Sequence, residues 1–316
     1  MKTHSLACAL AALLLTGLVS RGADAASEWQ KLKGAADWAL LENDNIKAEA
    51  LLLPAVEKAK QFGMMDRRYA ETLRMLIQGA REVPDFATAD SAVKQLLAVD
   101  AMRLGTNSTE LAIDLLYEAD VATRQEDFPR AQNALTQSSQ IVEKSCGPLA
   151  PPMGFCYFTR GNFELPQKHF SAAETNYQKA LELLEKSRML GYYTDTNGPV
   201  TYQLTPAPEG IAGVALYKMA VCQRQEGNHA AAEASLQKSI NIVKSKYGHW
   251  ARLLVDPLLS LAEMEVEEGK LPEAEKAVKW ALGALKSAPP THPLNIEARE
   301  LLDDIKAEKK KKSAAK

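Results

Sequence analysis

Very little in this chain points to chemistry. Its five histidines, His4, His169, His229, His249 and His292, are scattered, and none pairs with a second histidine or a cysteine at metal-ligand spacing. No phosphate loop, nucleophile elbow or dinucleotide fingerprint is present. Charge of one sign is lacking too: 38 basic residues stand against 40 acidic ones, so there is no electrostatic footprint for a nucleic acid. Glu265, Glu267 and Glu268 are clustered, but such runs are ordinarily a solvated helix face. No cofactor, metal or catalytic group is expected. After the first 19 residues no apolar stretch is long enough to span a bilayer.

The first 25 residues have an organisation of their own. Lys2 precedes an apolar run from Leu6 to Val19, followed by Ala23-Asp24-Ala25, the layout of a secretory signal peptide with a small-residue cleavage site. The mature chain is expected to begin near Ala26 without a membrane-spanning segment, exported to a bacterial periplasm or the exterior. An uncleaved N-terminal tether is the alternative. Cys8 lies inside the apolar run rather than after it, which disfavours lipidation.

What the chain has is a beat. Ala48, Ala89, Ala131, Ala173, Ala232 and Ala274 follow one another at 41, 42, 42, 59 and 42 residues. Twelve residues before each stands Ala36, Ile77, Ala119, Gly161, Ala220 or Ala262, a second and mostly small series in phase with the first. Small residues at matched points of two successive helices let their backbones approach, as a stacked helical hairpin requires. Gly63, Gly105, Gly147 and Gly248 close units at 15 or 16 residues past the anchor, with Gly191 slightly late, and are expected as left-handed caps. The sixth unit ends at Pro289-Pro290.

These residues resemble a known family. Leu258-Leu259-Ser260-Leu261-Ala262, Glu268-Gly269-Lys270, Glu273-Ala274-Glu275 and Ala281-Leu282 together look like a tetratricopeptide repeat, and Ala220, Glu226-Gly227-Asn228, Ala232 and Leu236 match nearly as well. The 42-residue unit followed by Thr291-His292-Pro293 is similar to the longer, kinesin-light-chain-like variety. The resemblance covers roughly residues 29 to 305 and is strongest in the last two units. It implies an all-α, right-handed superhelical solenoid of about six helix-turn-helix repeats over residues 26–305, closed by a C-terminal capping helix. Ile296, Leu301, Leu302 and Ile305 would give that helix its apolar side. Residues 306–316 read as a Lys-rich, frayed tail.

In the resembled family the first helix of each repeat, helix A, lines a concave groove. Carried over by position, the groove would hold Arg74, Gln78 and Arg81 from the second repeat and Leu116, Asp120 and Arg124 from the third. Phe158 and Asn162 come from the fourth, and Tyr217 and Arg224 from the fifth. Asp256 and Glu263 of the sixth repeat would grade the groove from basic to acidic. Such a mixture suits a peptide or protein partner. The chaperone-type carboxylate clamp is excluded, because only Asn162 matches it and Phe158 stands where lysine is required.

Two features stand apart. The long spacing leaves 17 surplus residues between Gly191 and Gly210, an insertion at about 191–208, whose Tyr192, Tyr193 and Tyr202 offer an adhesive surface; a tolerated insertion without a role is the alternative. Cys146 and Cys156 flank the turn between the third and fourth units, where export would permit a disulfide, though spacing alone equally allows two free thiols. Cys222 reads as a small buried residue. The chain is therefore expected to be an exported, non-catalytic interaction scaffold. The alternatives are an exported enzyme or enzyme subunit with its active site in the groove, and a membrane-tethered envelope adaptor.

Overall fold

A computed structural model of the chain describes residues 24–40, 44–81, 86–189, 208–249 and 251–314. Residues 1–23 of the expected signal peptide lie outside these. Residues 24–40 are helical, so the expected mature start near Ala26 lies within described helix α1. The expected loop residues Tyr192, Tyr193 and Tyr202 also lie outside the described residues.

The described residues form α1 (24–40), α2 (Asn45–Lys60), α3 (Arg67–Ala80), α4 (Ala87–Leu104), α5 (Thr109–Arg124), α6 (Phe128–Cys146) and α7 (Pro151–Glu164). They continue with α8 (Phe170–Met189), α9 (Pro208–Gln225), α10 (His229–Tyr247), a short 3-10 turn (Arg252–Leu254), α11 (Val255–Glu267), α12 (Leu271–Ala284) and α13 (Pro293–Ala314). Odd and even helices up to α12 are the A and B members of the expected pairs. No strand occurs among the described residues, and none of the described helices is long and apolar enough to cross a membrane. The chain divides into two compact units, residues 1–106 and 107–316. The first holds α1 to α4 and the second α5 to α13.

Both small-residue series lie where helices touch. All six anchor alanines are fully buried, as are Ala36, Ile77, Ala119 and Ala262. Gly161 of α7 lies directly under the ring of Tyr177 of α8, where a Cβ would come within 2.5 Å of Cε1. Seven residues past two of the anchors, buried serines bolt helix B to helix A. Ser138 donates to the Ala112 carbonyl at 2.6 Å, and Ser239 to that of Gly213 at 2.7 Å. Both serines satisfy a polar group inside an apolar contact.

The left-handed cap lies elsewhere than expected. Gly105, Gly147 and Gly248 do end helices, at φ of 82°, 90° and 89°, but their ψ of 164°, 163° and 174° places them in extended backbone that only glycine adopts readily. Within each pair of the second unit, by contrast, one turn residue of positive φ recurs five places before the anchor: Glu126 at 59°, Lys168 at 62°, Gly227 at 80° and Gly269 at 75°. After each, the next amide reaches back to the fifth carbonyl before it, as Asp127 does to Ala122 at 2.9 Å and Asn228 to Gln223 at 2.8 Å. This backward bond satisfies a carbonyl left open at the end of helix A.

In the first unit Trp29 of α1 donates through Nε1 to Thr72 of α3 at 2.9 Å and meets Phe62 edge-on. The Arg68 guanidinium lies 3.5 Å from the centre of the Phe62 ring. In the second unit α13 covers the last pair, with Ala298 and Ile305 buried and Leu301 and Leu302 partly so. Ile296, expected on the apolar side, is 45% exposed. α13 runs into the lysine-rich segment as far as Ala314, where Lys309 pairs with Glu275 of α12 and Lys312 with Glu308 at 3.1 Å.

Candidate functional site

The groove positions fall in both units. Arg74, Gln78 and Arg81 belong to the first and the remainder to the second. Arg74, Arg124 and Arg224 each engage acidic side chains of the protein.

Arg74 reaches from α3 to Asp100 of α4, which is fully buried and also receives Arg103 Nε at 2.9 Å. Two cations around one buried carboxylate make a structural knot, because a carboxylate without water needs its lone pairs filled. Gln78 is half-buried on α3, and Arg81 is its half-buried C-cap, its amide bonded to the Ile77 carbonyl at 3.0 Å. Within α5, Arg124 meets Asp120 at 3.3 Å, one turn away. Leu116 is buried.

Phe158 of α7 packs against Tyr177 with ring centres 6.0 Å apart. The Tyr177 hydroxyl donates to Asn162 at 3.0 Å, so Asn162 braces the core tyrosine. Burial pushes the Tyr177 phenol far above its ordinary range. Arg224 of α9 bridges to α11, binding Glu263 through Nη1 at 2.6 Å and Glu267 through Nη2. Glu267 is therefore no idle member of a solvated face. Its neighbour Glu265 is half-buried, and burial first, then Glu273, raises its pKa.

The second unit does gather charge on its A-helix side. Tyr217 of α9 is pushed up to about 12, by burial first and then by the carboxylate of Asp256, with Glu297 and Glu263 adding to it. Glu297 of α13 is itself raised, by burial and then by Glu263 and Asp256. The half-buried Tyr217 phenol is thus under the electrostatic influence of carboxylates on α11 and α13. Arg224, on the preceding A helix, is bound to Glu263 and Glu267.

The two cysteines do not meet. Cys156 is buried 3.5 Å from Ser138 Oγ, and Cys146 is an exposed thiol near Thr109 at 3.5 Å. Burial raises the Cys156 pKa. No disulfide staples α7. Its glycine helix is held instead by packing, Gly154 against Leu183 and Leu184 and Gly161 against Tyr177. Cys222 is buried, as expected. Among the described residues no group of acidic, histidine or cysteine side chains is arranged to hold a metal ion.

Sequence reasoning passed over Asp100, Ser138 and Ser239. The serines were legible as a seven-residue offset from two anchors, and Asp100 as an acid in an otherwise apolar helix face.

No protein-family model and no curated protein sequence matches the chain. Solved structures do. The apo form of RapI is 9% identical over 92% of this chain and 73% of its own, with a TM-score of 0.55. A Rap protein complexed with competence and sporulation factor is 15% identical over 90% and 88%, with a TM-score of 0.52. BtubC (BKLC) from P. vanneervenii is 14% identical over 73% and 92%, with a TM-score of 0.47. The fold is that of a tetratricopeptide-like helical repeat protein.

Proposed function

We propose that this chain is an exported, non-catalytic scaffold that binds a peptide or protein segment on the A-helix side of residues 107–316. The observation that carries this reading is Tyr217, half-buried, hydrogen-bonded with Ser260 and within the electrostatic influence of Asp256, Glu263 and Glu297, on the same helix as the Arg224 bridge to α11. An aromatic platform with a charged rim holds a partner's apolar side chain and orients its charged groups. Phe158 offers a second half-buried ring on α7. A fold neighbour solved with competence and sporulation factor shows the same architecture holding a bound factor. Export rests on Lys2, the run from Leu6 to Val19 and the pair Ala23 and Ala25.

The test is affinity capture with the mature chain, identification of what co-purifies, and calorimetry on the purified pair. Tyr217→Ala and Phe158→Ala should each weaken binding by about 2 kcal/mol where the ring is a hot spot. Intact-mass analysis should find the N-terminus near Ala26. Binding that survives both changes and Arg224→Glu, but is abolished by deleting residues 192 to 206, would place the site outside the A-helix side.

A further inference from the structure

The second unit contains a cleft on its other side, between the B helices α8 and α10. Between the third and fourth pairs, α7 lies against both α5 and α6, whereas after the 17-residue surplus α9 lies along α8. A cleft of about 610 Å³ lies between α8 and α10, with α9 beneath them. The size is within the usual range for ligand-binding clefts, about 300 to 1,000 Å³.

Its chemistry is ordered by wall. Leu216 and Met219 of α9 form a buried apolar floor, with half-buried Leu181 of α8 and Ile242 of α10 rising from either side. On the rim of α8 stands exposed Glu182, which accepts from Gln178 Nε2 at 3.2 Å; on the rim of α10 stands exposed Lys238. The lining of α8 spans residues 178 to 185, about 10 Å at 1.5 Å per residue, which is two helical turns.

We propose that this cleft docks two turns of an amphipathic helix from a partner protein. Its apolar stripe lies on Leu181, Leu216, Met219 and Ile242, its lysines or arginines face α8, and its aspartates or glutamates face α10. An extended segment is disfavoured because the walls are helices, whose backbone groups are already bonded and offer no sheet edge. A lipid surface is disfavoured by rims of opposite sign, which discriminate both the partner and its direction. The site is separate from the A-helix side and does not depend on it.

The probe is a fluorescein-labelled synthetic amphipathic helix with a leucine stripe, lysines on one flank and glutamates on the other, paired with an isomer whose flanks are exchanged. In fluorescence polarisation the matched probe should bind at least tenfold more tightly than the exchanged one. Leu181→Glu and Ile242→Glu should each weaken it at least tenfold with the helical melt retained. The double change Glu182→Lys with Lys238→Glu should narrow or invert the preference. On the unaltered chain, a benzophenone in the probe's leucine stripe should crosslink within residues 178–185, 212–219 or 238–246, which does not depend on any variant folding. Equal binding of the two probes, or crosslinks confined to other segments, overturns the proposal. So does a cleft-dependent dimer in sedimentation, which would assign the cleft to a second copy. Binding that appears only after removal of residues 192 to 206 would assign it to that segment and likewise overturn a partner helix.

Discussion

Gly161 and Tyr177 occupy one space: the ring of Tyr177 covers the α carbon so closely that a methyl group on Gly161 would lie 2.5 Å from Cε1 and 2.7 Å from Cδ1. Tyr177 is fully buried and its hydroxyl is tied to Asn162, so the ring has nowhere to retreat. Gly161→Ala should therefore destabilise the second unit by about 1 to 3 kcal/mol. Gly34→Ala is the contrast, since a Cβ there meets nothing within 4 Å in the middle of α1. That change should stabilise by about 1 kcal/mol, the ordinary helix preference. Urea melts of the two variants decide it, and equal effects would contradict the packing described.

The turn geometry makes opposite predictions at equivalent positions. Lys168 holds φ at 62° and Gly227 at 80°, in phase with each other. Left-handed backbone costs a side-chain-bearing residue about 1 to 2 kcal/mol, partly offset in glycine by its larger unfolded-state entropy. Lys168→Gly should raise stability by up to about 1 kcal/mol, whereas Gly227→Ala should lower it by about 1 kcal/mol. Thermal denaturation monitored by circular dichroism reads both.

Arg74 should behave as a structural residue. Asp100 is wholly buried and keeps Arg103 when Arg74 is removed, so Arg74→Ala should cost about 1 to 3 kcal/mol, less than the loss of an only partner. Asp100→Asn with Arg74→Ala should recover part of this, because the buried carboxylate that had lost one of its two cations is gone. A double-mutant cycle measured by chemical denaturation gives the coupling.

The docking of α13 should weaken in acid. Glu275 is held down to about 2 by hydrogen bonds from Lys279 and Lys309, against 4.5 for the free group. A carboxyl lowered by folding stabilises above its unfolded value, so this contribution is complete above pH 4.5 and fades as pH falls toward about 2. Lys309→Ala should therefore differ from the parent chain at neutral pH and converge with it across that window. A difference that stays constant with pH would dissociate Lys309 from Glu275.

The phase of the repeats was written in Ala36 and Ala48, Ala262 and Ala274, and the pairs between, because each helix contact independently demands a small residue. The glycines that end helices were legible for the same local reason, though their ψ was not. At Glu126 and Lys168 nothing local announced a left-handed turn. There the surrounding hairpin imposes the conformation on whatever residue the chain supplies.

The candidate site was less legible. Placement of Arg74 and Arg224 on A helices followed from the repeat, but their direction did not, since a guanidinium on a long stem turns to whichever acid its neighbours present. Asp100 is 26 residues from Arg74, and Glu263 is 39 from Arg224. Cys146 and Cys156 are only ten residues apart, yet the end of α6 turns one thiol outward and the body of α7 turns the other into the core. By itself, then, the sequence determined the period, the pairing and the small-residue contacts, which are conditions on single positions. Only the tertiary structure decided which charges are spent inside the protein, and where a cleft lies between α8 and α10, because both depend on how successive helix pairs are set against one another.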